Sequence, residues 1–404
     1  MRADVVLFTR DLRVHDHPAL AAAADRSDRV LPLFVLDDRV LATFGAPNRM
    51  RFLAQSLADL DAALRERGSA LVVRRGNVVV ETVRAAVEVG AELVHVSEDV
   101  SSYAQERERR LAAALAGTRT GLALHPGVSV VAPDDLAPAG AEHYSVFTPY
   151  WRRWREQPRR ALVAPPHRLV LPDGIDPGLL PPAAATGTAP DLPVGGERAG
   201  RRRLFDWLDE GLPHYHERAN DLGADATSRL SPYVHFGCVS PTEVAALGLE
   251  RGGDAFVRQL AWRDFNNQLL RARPELARDD LRRRDGSWGA DEDALAAWRE
   301  GRTGVPLVDA AMRQLLREGW MHNRARLVVG SFLTKHLGLD WRHGAAHFSA
   351  HLVDGDVANN ALNWQWVAGT GADTRPYRKL SPQRQAERHD AEGIYVRRYL
   401  REAE

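Results

Sequence analysis

Two carboxylates, several carboxamides and two indoles fall within one short stretch, Asp354-Gly355-Asp356-Val357-Ala358-Asn359-Asn360-Ala361-Leu362-Asn363-Trp364-Gln365-Trp366. Coiled as a helix, the stretch makes about three and a half turns. Asp356, Asn360 and Trp364 then stand at i, i+4 and i+8 on one face. Exposed surface has no use for indoles at this density, and an apolar core has none for the carboxylates and amides. A buried stripe of acceptor, amide and indole suits a large planar ligand with a polar edge. A helix whose tryptophans are core and whose aspartates cap its start is the other reading, and this segment alone leaves both open.

Three further stretches carry chemistry. Ala226-Thr227-Ser228-Arg229-Leu230-Ser231-Pro232 sets hydroxyls and an arginine before a proline-started helix. Such a helix start binds anions, although a plain N-cap explains the residues equally well. Met321-His322-Asn323-Arg324-Ala325-Arg326 puts Asn323 and Arg326 three apart on one helical face, with Arg324 pointing elsewhere. Gln259 lies beside Trp262 and Arg263 in the same way. Each could be a satisfied core polar group, but together they outnumber what a core tolerates without a ligand.

The elements that must position these residues divide the chain. At 404 residues it exceeds one ordinary core. Short apolar runs at 4–9, 29–36, 70–73 and 92–96 alternate with helical patterns near 18–20, 48–67, 80–89 and 103–116. That alternation predicts an α/β domain with a doubly wound parallel sheet over 1–125, its ligand site at the carboxyl ends of the strands. From 126 to 197 the pattern loosens into a long connector rich in Pro, Gly and Ala, of the length that usually means function or mobility. From 198 to 404 the segments read as helices only, most clearly Pro306–Leu316. The run Arg282-Arg283-Arg284-Asp285 reads as a solvated turn.

Composition excludes several classes. The 54 basic and 54 acidic side chains cancel, so any polyanion site must be a local patch. Lysine appears only as Lys335 and Lys379; arginine carries the rest of the positive charge. A single cysteine, Cys238, rules out a disulfide scaffold, a multi-thiolate zinc site and a cysteine-ligated iron–sulfur cluster. Asp4 interrupts what would be the apolar core of a signal peptide, and no apolar run approaches membrane-spanning length. The expectation is a cytoplasmic protein.

Taken in order, these motifs closely resemble those of the photolyase/cryptochrome flavoproteins, most of all the class I photolyases that repair cyclobutane pyrimidine dimers. Thr227–Ser231 is similar to the family's flavin-diphosphate loop, Trp262-Arg263-Asp264-Phe265 to its WRxF element, Gly319-Trp320-Met321-His322-Asn323-Arg324 to GWMHNR, and Asp354–Trp366 to DGDxAxNxxxWQW. Phe8-Thr9-Arg10-Asp11-Leu12-Arg13 resembles its opening strand and turn. The resemblance spans nearly the whole chain.

The resemblance implies a U-shaped FAD buried in an all-helical domain. Tyr215 and the loop Thr227, Ser228, Arg229, Leu230 and Ser231 would hold its ribityl and phosphate. Arg326 would pair with Asp354 near the isoalloxazine, Asp356 would accept from its uracil-like N–H, and Asn360 would face N5. Trp364, Trp341 and Trp288 fall where the family carries electrons from flavin to surface. Trp262 and Trp366 fall where it flanks a flipped dimer, with Asn323 and Gln259 at the lesion's polar edge. Arg324, Arg263, Arg378 and Lys379 would grip the DNA backbone. The partner is UV-damaged DNA, bound by a monomer, with an antenna pigment, deazaflavin or folate, in the first domain. The implied activity is light-driven dimer repair; a cryptochrome-like photoreceptor that binds FAD without repair is the alternative.

Four departures bear on this. Gln259 stands where cyclobutane repair enzymes usually have Glu, Leu327 replaces a Met, Ala361-Leu362-Asn363 replaces Asn-Gly-Gly, and Ser381 replaces the Asn of an Asn-Pro pair. They put lesion preference and rate in doubt more than flavin binding.

Overall fold

A computed structural model describes residues 1–183, 186–283, 287–372 and 377–400. Five strands, β1 (Ala3–Phe8), β2 (Arg29–Leu36), β3 (Val72–Arg75), β4 (Leu93–Ser97) and β5 (Gly121–His125), form one sheet in the order β3-β2-β1-β4-β5. Every pairing is parallel, with Val5 between Leu31 and Val94. Helices cover both faces, so the central strand β1 is buried along its whole length and reads as a continuous apolar run. The single carboxylate within it, Asp4, is satisfied there by the Leu93 N–H (2.8 Å), the Ser27 hydroxyl (2.6 Å) and His95 (3.1 Å).

The parallel sheet expected of the first part is therefore present. It has one strand more than the apolar runs indicated. β5 is an edge strand with only partly buried side chains, so it carries no apolar run to read. The run Arg282–Asp285 falls partly outside the described residues.

Parts of the described stretch from 126 to 197 pack into the core. The stretch contains a helix, Phe147–Glu156, whose Phe147, Tyr150 and Trp154 join the same core as Phe8, Leu12, Phe52 and Phe265. A buried carboxylate fastens it. Asp264 Oδ2 accepts from the Trp154 indole N–H and from the Val130 and Val131 N–H groups, each at 3.0 Å. Burial raises the Asp264 carboxyl above its ordinary value, against the pull of Arg263 and these donors.

Beyond this stretch the described residues are helical, apart from an isolated bridge between Gly289 and Leu339. The helices that matter for the site are Asp254–Ala272, Pro306–Glu318, Asn323–Ser331, Trp341–His351 and Val357–Ala368. None of the described helices is long and apolar enough to cross a membrane.

The turn after β1 plugs into the helical part. Leu12 N–H donates to the Phe236 carbonyl (3.2 Å) and Arg13 Nη1 to the Gly237 carbonyl (3.0 Å). Gly237 has φ +68°, and a Cβ there would lie 1.9 Å from the Arg10 carbonyl oxygen, so this contact requires glycine.

Removing the Asp264 carboxylate leaves three buried donors unpaired. Asp264→Ala is expected to lower stability by about 3 kcal/mol, read from urea unfolding midpoints. A change within the scatter of surface variants would mean that the connector is not fastened there.

Candidate active site

The helix Val357–Ala368 is started by Asp356 and stopped by Gly369 at φ +83°. Asp356 Oδ1 accepts from the Asn359 backbone and side-chain N–H groups, both at 2.9 Å. Its Oδ2 takes Arg10 Nη2 at 2.7 Å, from the turn after β1. Arg10 also reaches Asp99 after β4 at 3.3 Å and the His235 carbonyl at 3.2 Å. Burial opposes the charge on Asp356, but Arg10 and His235 outweigh it and hold the carboxyl well below its ordinary value. The aspartate thus caps its helix, as the plainer reading of the motif had it, and also anchors a contact between the two parts of the chain. A ligand N–H would share an oxygen that Arg10 already holds.

One cleft is walled by the helices Asn323–Ser331, Trp341–His351 and Val357–Ala368. Asn323, Arg326, Asp354, Asn360, Asn363 and Trp364 all line it. Arg326 Nη2 pairs with Asp354 at 2.8 Å while its Nε donates to the Met321 carbonyl at 2.8 Å, so the guanidinium is fixed. Asn360 Nδ2 donates to the Ala345 carbonyl at 2.9 Å, which leaves its carbonyl oxygen for the cleft. Turning that amide would cost the Ala345 bond. Trp364 is seated edge-on to Phe348 (centroids 5.0 Å apart), over Gly344, where a Cβ would come 2.2 Å from the indole.

The hydroxyl loop stands apart from these residues. Thr227 Oγ1 is buried without a partner. Ser228 Oγ accepts from the Leu230 N–H at 3.4 Å, and Ser231 Oγ from the Trp320 indole at 3.1 Å. Arg203 Nε ties the Ser228 carbonyl at 2.9 Å. Leu230 is buried, so its backbone alone could meet a ligand. The Arg229 side chain is engaged within the protein. With φ +51° its side chain turns onto Asp225 (2.8 Å), Glu318 (2.7 Å) and the Trp320 ring (4.3 Å). That guanidinium is spent on protein anions and braces the loop. Tyr215 is half-buried and edge-on to Trp207 and Phe256, and burial pushes its hydroxyl up to about 12.

On the outer face, Trp262 stacks on Phe147 at 3.6 Å and 9°, which covers one side of the indole. Gln259 and Asn323 are exposed. Trp366 is half-buried beneath Arg378, whose guanidinium lies 5.5 Å from the ring, and Lys379 beside it is exposed. Arg324 is held by two bonds to Asn220 Oδ1 (3.1 and 2.7 Å). Arg263 does not lie with them. Its side chain is 12 % exposed and donates to the Val128 carbonyl at 2.7 Å, so it braces the connector.

Of the three relay candidates, Trp364 and Trp341 are buried and Trp288 half-buried, next to Gly289, which bridges to Leu339. An indole that was not singled out, Trp298, lies 6.0 Å from Trp364. Nothing in its local sequence marks it. Arg10 was marked by motif, but its partner Asp356 is 346 residues away. No group of three metal-binding side chains occurs among the described residues.

A doubly wound sheet joined to a helical part, with an anion-loop candidate and a separate polar cleft lined by an indole and an amide, marks a protein with places for a planar group and an anion. Comparison with known proteins names the group. Residues 4–168 match the family model for DNA photolyase, and residues 256–404 the model for the FAD binding domain of DNA photolyase. A deoxyribodipyrimidine photo-lyase of Streptomyces griseus is 51 % identical over 100 % of this chain and 90 % of its own length. A bacterial class III photolyase from Agrobacterium tumefaciens superposes with TM-score 0.91 at 33 % identity, over 100 % of this chain and 87 % of that one. An archaeal photolyase from Sulfolobus tokodaii, solved with two FAD molecules, superposes with TM-score 0.88 at 29 % identity, over 98 % and 90 %. The chain belongs to the photolyase/cryptochrome family and carries its FAD-binding domain.

The residues present fit FAD. The Thr227 hydroxyl and the Trp364 indole N–H are buried polar atoms with no hydrogen-bond partner in the protein, where a polar ligand would satisfy them.

Two outcomes follow. Gly344→Ala must push Trp364 out of its seat, with an expected loss of about 1–3 kcal/mol and weakened flavin retention, checked by thermal melting and released-flavin absorbance. Burial lowers His322 to about 4 and, with His351 and Arg299, His347 to about 3, against an ordinary 6.5. Below that ordinary value the unfolded chain binds protons that the folded one refuses. Stability should hold above pH ~6.5 and fall as pH drops toward ~4, read as melting temperature against pH.

Proposed function

We propose that this protein is a light-driven DNA repair enzyme, a deoxyribodipyrimidine photo-lyase that splits cyclobutane pyrimidine dimers. Reduced FAD, when bound, supplies the light-excited electron. Everything else falls to the protein's own side chains.

The observation that carries the reading is that a single cleft is lined both by Asn360 and Trp364, assigned to the flavin, and by Asn323, assigned to the lesion. A cofactor and a flipped base pair entering that cleft would meet inside one protein-walled space, close enough for direct electron transfer. The fixed Arg326–Asp354 pair and the tethered Asn360 amide orient the ring. Trp262, backed by Phe147, and Trp366 offer planar apolar walls, which suit a damaged pair that stacks poorly in the duplex. Asn323 and Gln259 hydrogen-bond its polar edge. Arg378, Lys379 and Arg324 take the phosphates, so affinity should fall steeply with salt. No general acid or nucleophile is required.

The tryptophans Trp364, Trp341 and Trp288 return electrons to an oxidised flavin and are separate from the repair step. A second chromophore, deazaflavin or folate, harvests light in the strand domain; the two FAD molecules of the Sulfolobus tokodaii photolyase support a second pigment site in this fold. The protein works as a monomer in the cytoplasm.

Blue light on fully reduced protein with a dimer-containing oligonucleotide should restore monomer bases. Absence of splitting would favour a cryptochrome-like photoreceptor, which the exposed Gln259 permits. Trp364→Phe should slow photoreduction at least about tenfold yet still repair DNA when reduced chemically; each hop the chain loses costs orders of magnitude in rate, as for any barrier raised by ~1.4 kcal/mol or more. Equal photoreduction would refute its assignment.

A further inference from the structure

Trp341 opens its helix directly after the cap residue Asp340, and its indole is 1 % exposed. Two other buried indoles frame the comparison. Trp298 donates its N–H to the Val329 carbonyl at 3.1 Å, and the Trp364 N–H has no protein partner. Trp341 donates to a carboxylate, Asp280 Oδ1, at 2.8 Å.

The charges around that bond are arranged. Arg342 lies over the Trp341 ring, 4.7 Å from its centroid. It is held by Asp280 at 3.0 Å, by Asp340 at 3.1 Å and by the Arg278 carbonyl at 2.6 Å. Among these named side chains, two carboxylates face one guanidinium beside the indole. The helix start adds a partial positive charge, but Asp340 caps it through the Arg342 N–H at 2.9 Å. Of all these groups, Asp280 alone touches the indole through a hydrogen bond, and a charge-assisted bond couples most strongly. The balance favours positive charge on Trp341 over positive charge on Trp364.

We propose that Asp280 is a positioning residue that makes Trp341 easier to oxidise than Trp364, so that electrons run one way along the relay. This rests on the relay reading given above. The step moves one electron from the Trp341 indole to the Trp364 indole cation. Trp364 becomes neutral, Trp341 takes the positive charge, no bond breaks, and the N–H proton stays in its bond to Asp280. The initial oxidant is the light-excited oxidised flavin. The replacement electron comes from an external thiol through Trp288. Without the carboxylate, the positive charge has no reason to leave Trp364, and it recombines.

The test uses flavin-loaded protein under blue light with a thiol reductant. Asp280→Asn keeps an acceptor for the indole but removes the charge; it should slow photoreduction about tenfold, the effect of losing roughly one charge-assisted bond. Asp280→Glu should restore it. In the dark, the Trp341 indole proton resonance, drawn downfield by a carboxylate, should move upfield in Asp280→Asn, and time-resolved absorption should find the Trp364 radical lasting longer before it recombines. If Asp280→Asn photoreduces at the unaltered rate while Trp341→Phe is slow, the role of Asp280 falls and the relay stands. Equal slowing by Asn and Glu would make the contact geometric and also overturn the proposal. If Trp341→Phe itself photoreduces normally, the relay reading fails.

Discussion

The contact on which the site depends is the buried ion pair between Arg10 and Asp356. It joins the turn after the central strand to the residue that caps the start of one cleft helix, Val357–Ala368. Asp356 is buried, and its charge would not be tolerated there alone. Removing one partner of such a pair typically costs about 3–5 kcal/mol, because the other stays buried and uncompensated. Here the cost has a positional consequence. Asp356 caps its helix with one oxygen and holds Arg10 with the other, so the direction of the helix, and with it Asn360 and Trp364, is set from the sheet.

A second set of bonds repeats the arrangement on the opposite wall. Asn48 and Arg49, near the start of the helix Pro47–Arg65, reach across to the end of the helix Trp341–His351. Asn48 Nδ2 donates to the His351 carbonyl at 2.6 Å, and Arg49 Nη1 to the Leu352 carbonyl at 3.0 Å. Burial pushes the Arg49 guanidinium down to about 10, with Asp354 opposing. Unpaired carbonyls at a helix end accept cations and donors well. The strand domain therefore carries two of the three helices that wall the cleft by their ends, and the connector is fastened beside them at Asp264.

The sequence made the type of fold legible because a buried parallel sheet writes continuous apolar runs, as in Ala3–Phe8, and because rare residues cluster on the cleft helix. It could not show β5, whose half-exposed edge carries no such run. The connector read as loose because proline and glycine dominate it; its packing hangs on side chains such as Trp154 whose partner, Asp264, lies 110 residues away. The same limit governs the site. Asn360 and Trp364 share a helix and could be grouped by spacing. Arg10 and Asp356 could not, since only the tertiary fold brings them together. Residue type alone could not show what Arg229 and Arg263 touch: an arginine inside a motif reads as a hand for phosphate, and here one pairs with Asp225 and Glu318 and the other with the Val128 carbonyl. Arginines satisfied within the protein and arginines free for a ligand look alike until their partners are known.

Crystallographic density from protein saturated with FAD tests the central claim most directly. The account requires a flat three-ring feature against Asn360, flanked by the Arg326–Asp354 pair, with diphosphate density at Thr227–Ser231. Ring density on another surface, or this cleft closed by its own side chains, would contradict it.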